Sequence, residues 1–367
     1  MKSTESFRLS RSSIAIMVLA VMLTLVAGCG RTEDAGTDAS PASGSGGIEV
    51  TKVAVVTPEK ANDFGWNQMG VEGVKAAAEA VGAEVIVQDG AGYGDITPIM
   101  NQLATEEPQL IFAWASGYNA VGPSMAQQLG IAVTSADPGD ESVNQPQLVQ
   151  AIEEHAEKGA YLAGILAARM TQTGTVGIVA SADDLNWAKM GGGYIAGARS
   201  INPDIKILYV QIGQAGYADA AGAKRVTTSA ISGGADIIFG FGDGSSFGMM
   251  QAVETAKAPA GADKVYFIDV IGDKSSLDEK NIYLSSVVWD FSQLNTEIIE
   301  SLEAGTFGQE SAYLDLDNGL KLLQTDLIPD DIWAEIETAK QSIIDGSIEV
   351  PLTVSAKEVK DLIAAGE

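Results

Sequence analysis

Residues 53–88 read VAVVTPEKANDFGWNQMGVEGVKAAAEAVGAEVIVQ, and the order of patterns in this stretch decides the fold class. Val53–Thr57 is a short apolar run. A polar loop separates it from a helical pattern over Gly65–Val81 that puts Met69, Val74, Ala77 and Val81 on one face and ends at Gly82. A second run, Glu84–Gln88, follows at once. Apolar strands with little alternation, separated by amphipathic helices, are the mark of parallel strands covered on both faces.

The rhythm continues outward from this unit. A helix capped by Asp95 turns Ile96, Ile99, Met100 and Leu103 inward, and strands follow at Leu110–Trp114 and Ile131–Ser135. It resumes at Thr175–Ala180 and runs through Lys206–Val210, Asp236–Phe239, Val265–Ile268 and Tyr283–Val288. The class is therefore α/β. The second half also repeats the first. Asp63-Phe-Gly-Trp66-Asn-Gln-Met69-Gly70 aligns with Asp184-Leu-Asn-Trp187-Ala-Lys-Met190-Gly191, and Gly92-Tyr93-Gly94-Asp95 with Gly216-Tyr217-Ala218-Asp219. A repeat of about 120 residues is too long for a solenoid unit and is read as a duplicated lobe. Two Rossmann-like lobes are expected, the first from 48–150 with 271–312 and the second from 151–270 with 313–367.

Composition narrows the function. The chain has 367 residues, 46 % of them hydrophobic, and 49 acidic against 22 basic residues give a net charge of −27. Such a field repels phosphate backbones and argues against a nucleic-acid partner. One Cys and one His exclude a disulfide framework and a Cys/His zinc site, and no cofactor or metal is expected. The single Cys closes a segment that opens with Lys2, Arg8 and Arg11, runs apolar from Ile14 to Ala27 and ends Leu25-Val26-Ala27-Gly28-Cys29. A basic start, an apolar run and small residues before the cysteine read as an export signal over 1–28. The box resembles that of bacterial lipoproteins, in which the cysteine thiol carries lipid, which implies a membrane anchor at Cys29. Residues 30–47 hold no large apolar side chain and read as a flexible tether, 29–47 with the cysteine.

In open parallel sheets, ligands bind where loops leave the carboxyl ends of the strands. Those loops carry Asp63, Trp66, Asn67, Asp137, Trp187, Asp243, Asp269 and Trp289. Rings and acceptors suit a planar or sugar-like solute. Each residue also has a structural alternative: Asp63 and Asp184 as helix caps, the tryptophans as packing, Trp289 as a cover on a sheet edge. The segment Gly240-Phe-Gly242-Asp-Gly244 imitates a dinucleotide fingerprint, but its spacing is GxGxG and it does not follow the first strand. Its glycines, Gly242 among them, are read instead as places where backbone approaches a ligand. No nucleophile–base pair is visible, so no catalysis is expected.

Several motifs together resemble the basic membrane protein family, the PnrA-like purine-nucleoside-binding lipoproteins of ATP-driven (ABC) importers. They are Asp63…Trp66-Asn67-Gln68…Glu72-Gly73, Lys158-Gly-Ala-Tyr161-Leu-Ala-Gly164, Gly233-Gly-Ala-Asp236-Ile-Ile-Phe239, Ser285-Ser286-Val287-Val288 and Pro329…Ile344-x-Gly346-x-Ile348-x-Val350-Pro351. The resemblance implies a periplasmic-binding-protein-like type I fold closing by a hinge, a permease as partner and a monomer held on the extracytoplasmic face of the cell membrane. It also implies base stacking by Trp66, a hydrogen bond from Asn67, and a grip on base and ribose by Asp137 and Asp269. Where the family places a Lys after Ser-Val-Val, this chain has Trp289, so a free nucleobase is an expectation beside a nucleoside. A sugar ligand, or a sensor that presents its ligand to a signalling partner, are the alternatives; a nucleotide-dependent cleft enzyme fits less well.

Overall fold

The computed structural model describes residues 47–366; the export signal, Cys29 and tether residues 30–46 lie outside the described residues. Val53, Val55, Leu110 and Phe112 face one core while Ala54, Val56, Ile111 and Ala113 face another. Both faces of these strands are therefore covered, as the unbroken apolar runs require. The first sheet contains β1 (Lys52–Val56), β2 (Glu84–Gln88), β3 (Leu110–Ala113), β4 (Ala132–Ala136), β5 (Val149–Glu154) and β11 (Ala312–Leu314), in the order β11-β5-β4-β3-β1-β2. All its pairings are parallel. Helices α1 (Trp66–Val81), α2 (Thr97–Ala104), α3 (Val121–Leu129) and α8 (Ser292–Ala304) cover it.

The second sheet repeats that order as β12-β10-β9-β8-β6-β7. Its strands are β6 (Thr175–Ala180), β7 (Lys206–Gln211), β8 (Ile237–Phe241), β9 (Tyr266–Ile271), β10 (Tyr283–Trp289) and β12 (Leu320–Leu322). Only β12 runs antiparallel, against β10. Its helices are α4 (Ala156–Met170), α5 (Leu185–Ile201), α6 (Ala220–Ser232), α7 (Ser246–Thr255), α9 (Asp330–Ile344) and α10 (Ala356–Ala364). The matching strand orders are the structural counterpart of the internal repeat.

The sheets divide the chain differently from the expected lobe limits. β10 lies in the second sheet, parallel to β9, although 271–312 was expected in the first lobe. β5 lies in the first sheet through Glu154, so the chain passes over at His155 and not at 150. The other passages fall at 290–291, before α8, and at 315–319, between β11 and β12. An apolar run specifies a strand but not its neighbour, and β10 is buried at every position, as a strand of either sheet would be.

Glycines also set the contact between α4 and α5, which pack at very close range. A β-carbon on Gly193 would stand 2.1 Å from the carbonyl oxygen of Glu157, and one on Gly197 2.0 Å from that of Tyr161. A β-carbon on Gly164 would stand 2.3 Å from the carbonyl oxygen of Tyr194. Backbone meets backbone here, so a larger side chain has nowhere to rotate. Gly197→Val is expected to lower stability by about 3 kcal/mol or more, read as a lower urea midpoint with unchanged slope. An unaltered midpoint would rule out this helix contact.

Candidate ligand-binding cleft

Each of β1–β4 and β6–β10 delivers at least one residue to a single cavity of about 210 Å³ between the sheets. Pro58, Tyr93, Ser116 and Asp137 come from the first sheet's loops, and Asp184, Tyr217, Asp243, Ile271 and Trp289 from the ends of the second sheet's strands. Trp66, Asn186 and Trp187 stand in the first turns of α1 and α5 and complete the wall. The volume lies below the roughly 300–1,000 Å³ of drug-sized sites and suits a solute of one or two rings. Phe64, Asp137 and Ile271, all at these loops, hold φ of 50°, 50° and 68°. For the β-branched Ile271 this conformation is strained, a condition that concentrates at functional sites.

The rings are fixed by their own partners. Trp66 stacks on Trp114 at 5.0 Å and stands perpendicular to Trp289 and Phe291 in edge-to-face contacts. Trp66 and Trp114 also exchange hydrogen bonds, each indole N–H donating to the other's backbone carbonyl at 3.1 Å. Trp187 stacks on Phe241 at 5.8 Å, and its indole donates to Ser181 Oγ at 3.0 Å. One face of Trp66 and one of Trp187 are thus occupied within the protein, and both rings also line the cavity. Trp289 is 1 % exposed, and its Nε1 finds no acceptor among the described residues. It is the last residue of β10 and borders the cavity; it is no edge cover.

The carboxyls bridge the two lobes. Asp243 Oδ1 accepts the backbone N–H of Trp66 at 3.2 Å. Burial and the nearby Asp63 push the Asp243 carboxyl up to about 7. Asn186 Nδ2 donates to Asp137 Oδ1 at 2.9 Å and to Glu154 Oε2 at 3.0 Å. Burial raises both of these acids, Glu154 the more strongly because Asp137 lies beside it. Lys189 contacts Glu153 Oε2 at 3.3 Å; burial opposes its charge, but Glu154, Glu153 and Asp137 outweigh that and hold its pKa above the ordinary value. Asp184 caps α5 through the N–H groups of Asn186 and Trp187, and its other oxygen accepts the Tyr217 hydroxyl at 2.8 Å.

Five of the expected site residues therefore meet at the cavity: Trp66, Asp137, Trp187, Asp243 and Trp289. Four do not line it. Asp63 and Asn67 are turned toward each other, with Asn67 Nδ2 donating to Asp63 Oδ2 at 2.7 Å. The Asp63 carboxylate also accepts from Gly65, Asn67 and Gln68 N–H, which knits the loop to the start of α1. A side chain at Gly242 would strike Ser245 Oγ at 2.3 Å, so that glycine serves the turn itself. Asp269 is wholly buried, paired with Lys274 at 2.7 Å and hydrogen-bonded by Ser246 and Tyr283. Among the residues left out of the expected site, Tyr217 was marked by the internal repeat as the counterpart of Tyr93. Asn186 stands immediately before Trp187 in the repeated segment, and no motif singled it out.

Residues 50–353 match the profile of a family, Bmp, described as ABC transporter substrate-binding protein PnrA-like. The "ABC transporter nucleoside-binding protein BmpA" of Lactococcus lactis is 27 % identical over 93 % of this chain and 97 % of its own. "Basic membrane protein A1" of Borrelia garinii is 27 % identical over 86 % of this chain and 93 % of its own. Among solved structures, an ABC transporter solute-binding protein from Aeropyrum pernix superposes with TM-score 0.71 at 18 % identity, covering 86 % of this chain and 98 % of its own. One from Conexibacter woesei gives 0.68 at 21 %, over 83 % and 99 %. These superpositions establish the two-lobed α/β fold.

The Asp269–Lys274 pair separates scaffold from site. Asp269→Ala leaves a buried ammonium unpaired and is expected to cost about 3–5 kcal/mol in the protein without ligand. A urea melt reads this directly. Unchanged stability with lost ligand affinity would return Asp269 to the binding site.

Proposed function

The chain belongs to the PnrA-like Bmp family of ABC transporter substrate-binding proteins, and on that premise we propose that its cleft captures a purine nucleoside or nucleobase for import. Family members bind a small molecule and deliver it to an ABC permease, and they are not themselves enzymes. The observation that carries the ligand proposal is the meeting of Trp66, Trp187 and Trp289 from both lobes around a cavity of about 210 Å³. A flat bicyclic base fits between rings far better than a sugar, whose hydroxyls need a denser set of polar partners. Asp137, Asn186 and Asp243 offer acceptors to the ring's N–H groups, and Trp289 Nε1 offers a donor to a carbonyl or ring nitrogen. The nucleoside-binding name of the Lactococcus relative points the same way.

The mechanism follows from where these groups sit. Trp66 and Asp137 belong to one lobe, and Asn186, Trp187, Asp243 and Trp289 to the other. A ligand touching both sets is held fully only when the lobes are closed, so binding shifts the population toward the closed form that a permease recognises. His155, 290–291 and 315–319 are the hinge in this proposal. The protein acts as a monomer on the extracytoplasmic face, tethered through residues 30–47 and lipid on Cys29. Among the described residues, no helix is long and apolar enough to cross a membrane.

A purine nucleoside or base at 100 times its Kd is expected to add about 2.7 kcal/mol of stability, visible as a raised melting temperature. A panel of purines and nucleosides that leaves the melt unmoved, while a sugar raises it, overturns the ligand class. Cys29→Ser is expected to abolish acylation and release the protein from membranes. Retention of the mutant with the mass of a lipid-bearing chain would refute the anchor.

A further inference from the structure

Building on the proposed purine-like ligand, we propose that the cleft selects a positively charged or readily protonated flat nitrogen heterocycle over neutral and anionic rings of the same shape. The cavity is walled by three tryptophans, two tyrosines and the three carboxyls of Asp137, Asp184 and Asp243. Among the described residues, no lysine, arginine or histidine lines it. The nearest buried cations stand behind the wall and are already committed, Lys274 to Asp269 at 2.7 Å and Lys189 to Glu153 at 3.3 Å. Aromatic faces attract cations, most strongly where water is excluded. Carboxylates in the same low-dielectric space add to that attraction and repel anions.

The hydrogen-bonding groups agree. Asn186 Oδ1 and Trp289 Nε1 are buried without partners among the described residues, so the ligand should bring at least one donor and one acceptor. Asp243 gives one oxygen to Trp66 N–H and, among the described residues, has no hydrogen-bond partner on the other. It faces Asp63 and Asp184 as like charges, Lys274 as the opposing one, and the phenols of Tyr93 and Tyr217. Its carboxyl is pushed up to about 7 by burial first and Asp63 second. A bound cation favours the ionised carboxylate and draws that value down, so uptake of a cation releases a proton.

The test uses the chain from Cys29 onward, purified in detergent, with isothermal titration of two charge pairs. Adenosine is compared with 1-methyladenosine, which is protonated at neutral pH, and nicotinamide with 1-methylnicotinamide, whose charge is fixed. The cation is expected to bind about 10-fold tighter or more in at least one pair at pH 8, with adenosine 5′-monophosphate rejected. For 1-methylnicotinamide the preference should shrink as pH falls from 8 to 5.5, as Asp243 takes up its proton. Asp243→Asn should shrink it at pH 8. Neutral rings binding as tightly as their cations in both pairs, the monophosphate binding as well as adenosine, or no binding in either pair each overturns the proposal. Adenosine bound without cation preference leaves the purine reading standing alone. A preference confined to the nicotinamide pair, with no purine bound, keeps charge selection and removes the purine.

Discussion

In a parallel sheet every strand ends on the same side, and the chain must leave that side through loops whose backbone groups the sheet no longer satisfies. Two such sheets set with their carboxyl ends toward each other make a cavity out of those loops and the first turns of the helices that follow them. Pro58, Tyr93, Ser116, Asp137, Tyr217, Asp243, Ile271 and Trp289 all sit at or just after a strand's carboxyl end. The close α4–α5 contact forms part of the frame on which the second sheet presents its half of the wall. Side chains in the site are thus positioned by the strand register, which the buried apolar residues hold.

How much of this is legible in sequence depends on the range of the information. The α/β class and the duplicated lobe are local matters of apolar runs and repeated motifs, and the two matching strand orders bear them out. Asp137 and Asp243 follow β4 and β8 closely, while Trp66 and Trp187 open the helices after β1 and β6, so local pattern alone is enough to bring these four to the cavity. Asp269 has similar credentials yet turns into the lobe, because Lys274, five residues on, folds back to pair with it. Nothing in the local pattern distinguishes a carboxyl that meets a ligand from one that meets its own loop. The same limit hid the chain crossings: β10 reads as a strand whichever sheet it joins, and β5 and the three-residue β11 and β12 were not read as strands at all.

The buried acids explain why the cleft should respond to a ligand at all. One amide, Asn186 Nδ2 from the second lobe, donates to both Asp137 and Glu154 of the first. Both carboxyls are raised by burial, so burying them beside each other opposes their full ionisation. Closure also leaves Asn186 Oδ1, Glu154 Oε1 and Trp289 Nε1 without protein partners among the described residues. Each such group costs about 1–3 kcal/mol when buried unpaired, and separation of the lobes would return it to water. Contacts between the lobes at the cleft include Asp243 with Trp66 N–H, and Phe64 edge-to-face with Phe247 at 6.3 Å. In the proposed mechanism, Asn186 Oδ1 and Trp289 Nε1 are the polar groups left for a ligand to satisfy. In that mechanism, a ligand that pairs Trp289 Nε1 and Asn186 Oδ1 would remove the penalty only in the closed form, and that difference in binding between the two forms would drive the lobes together.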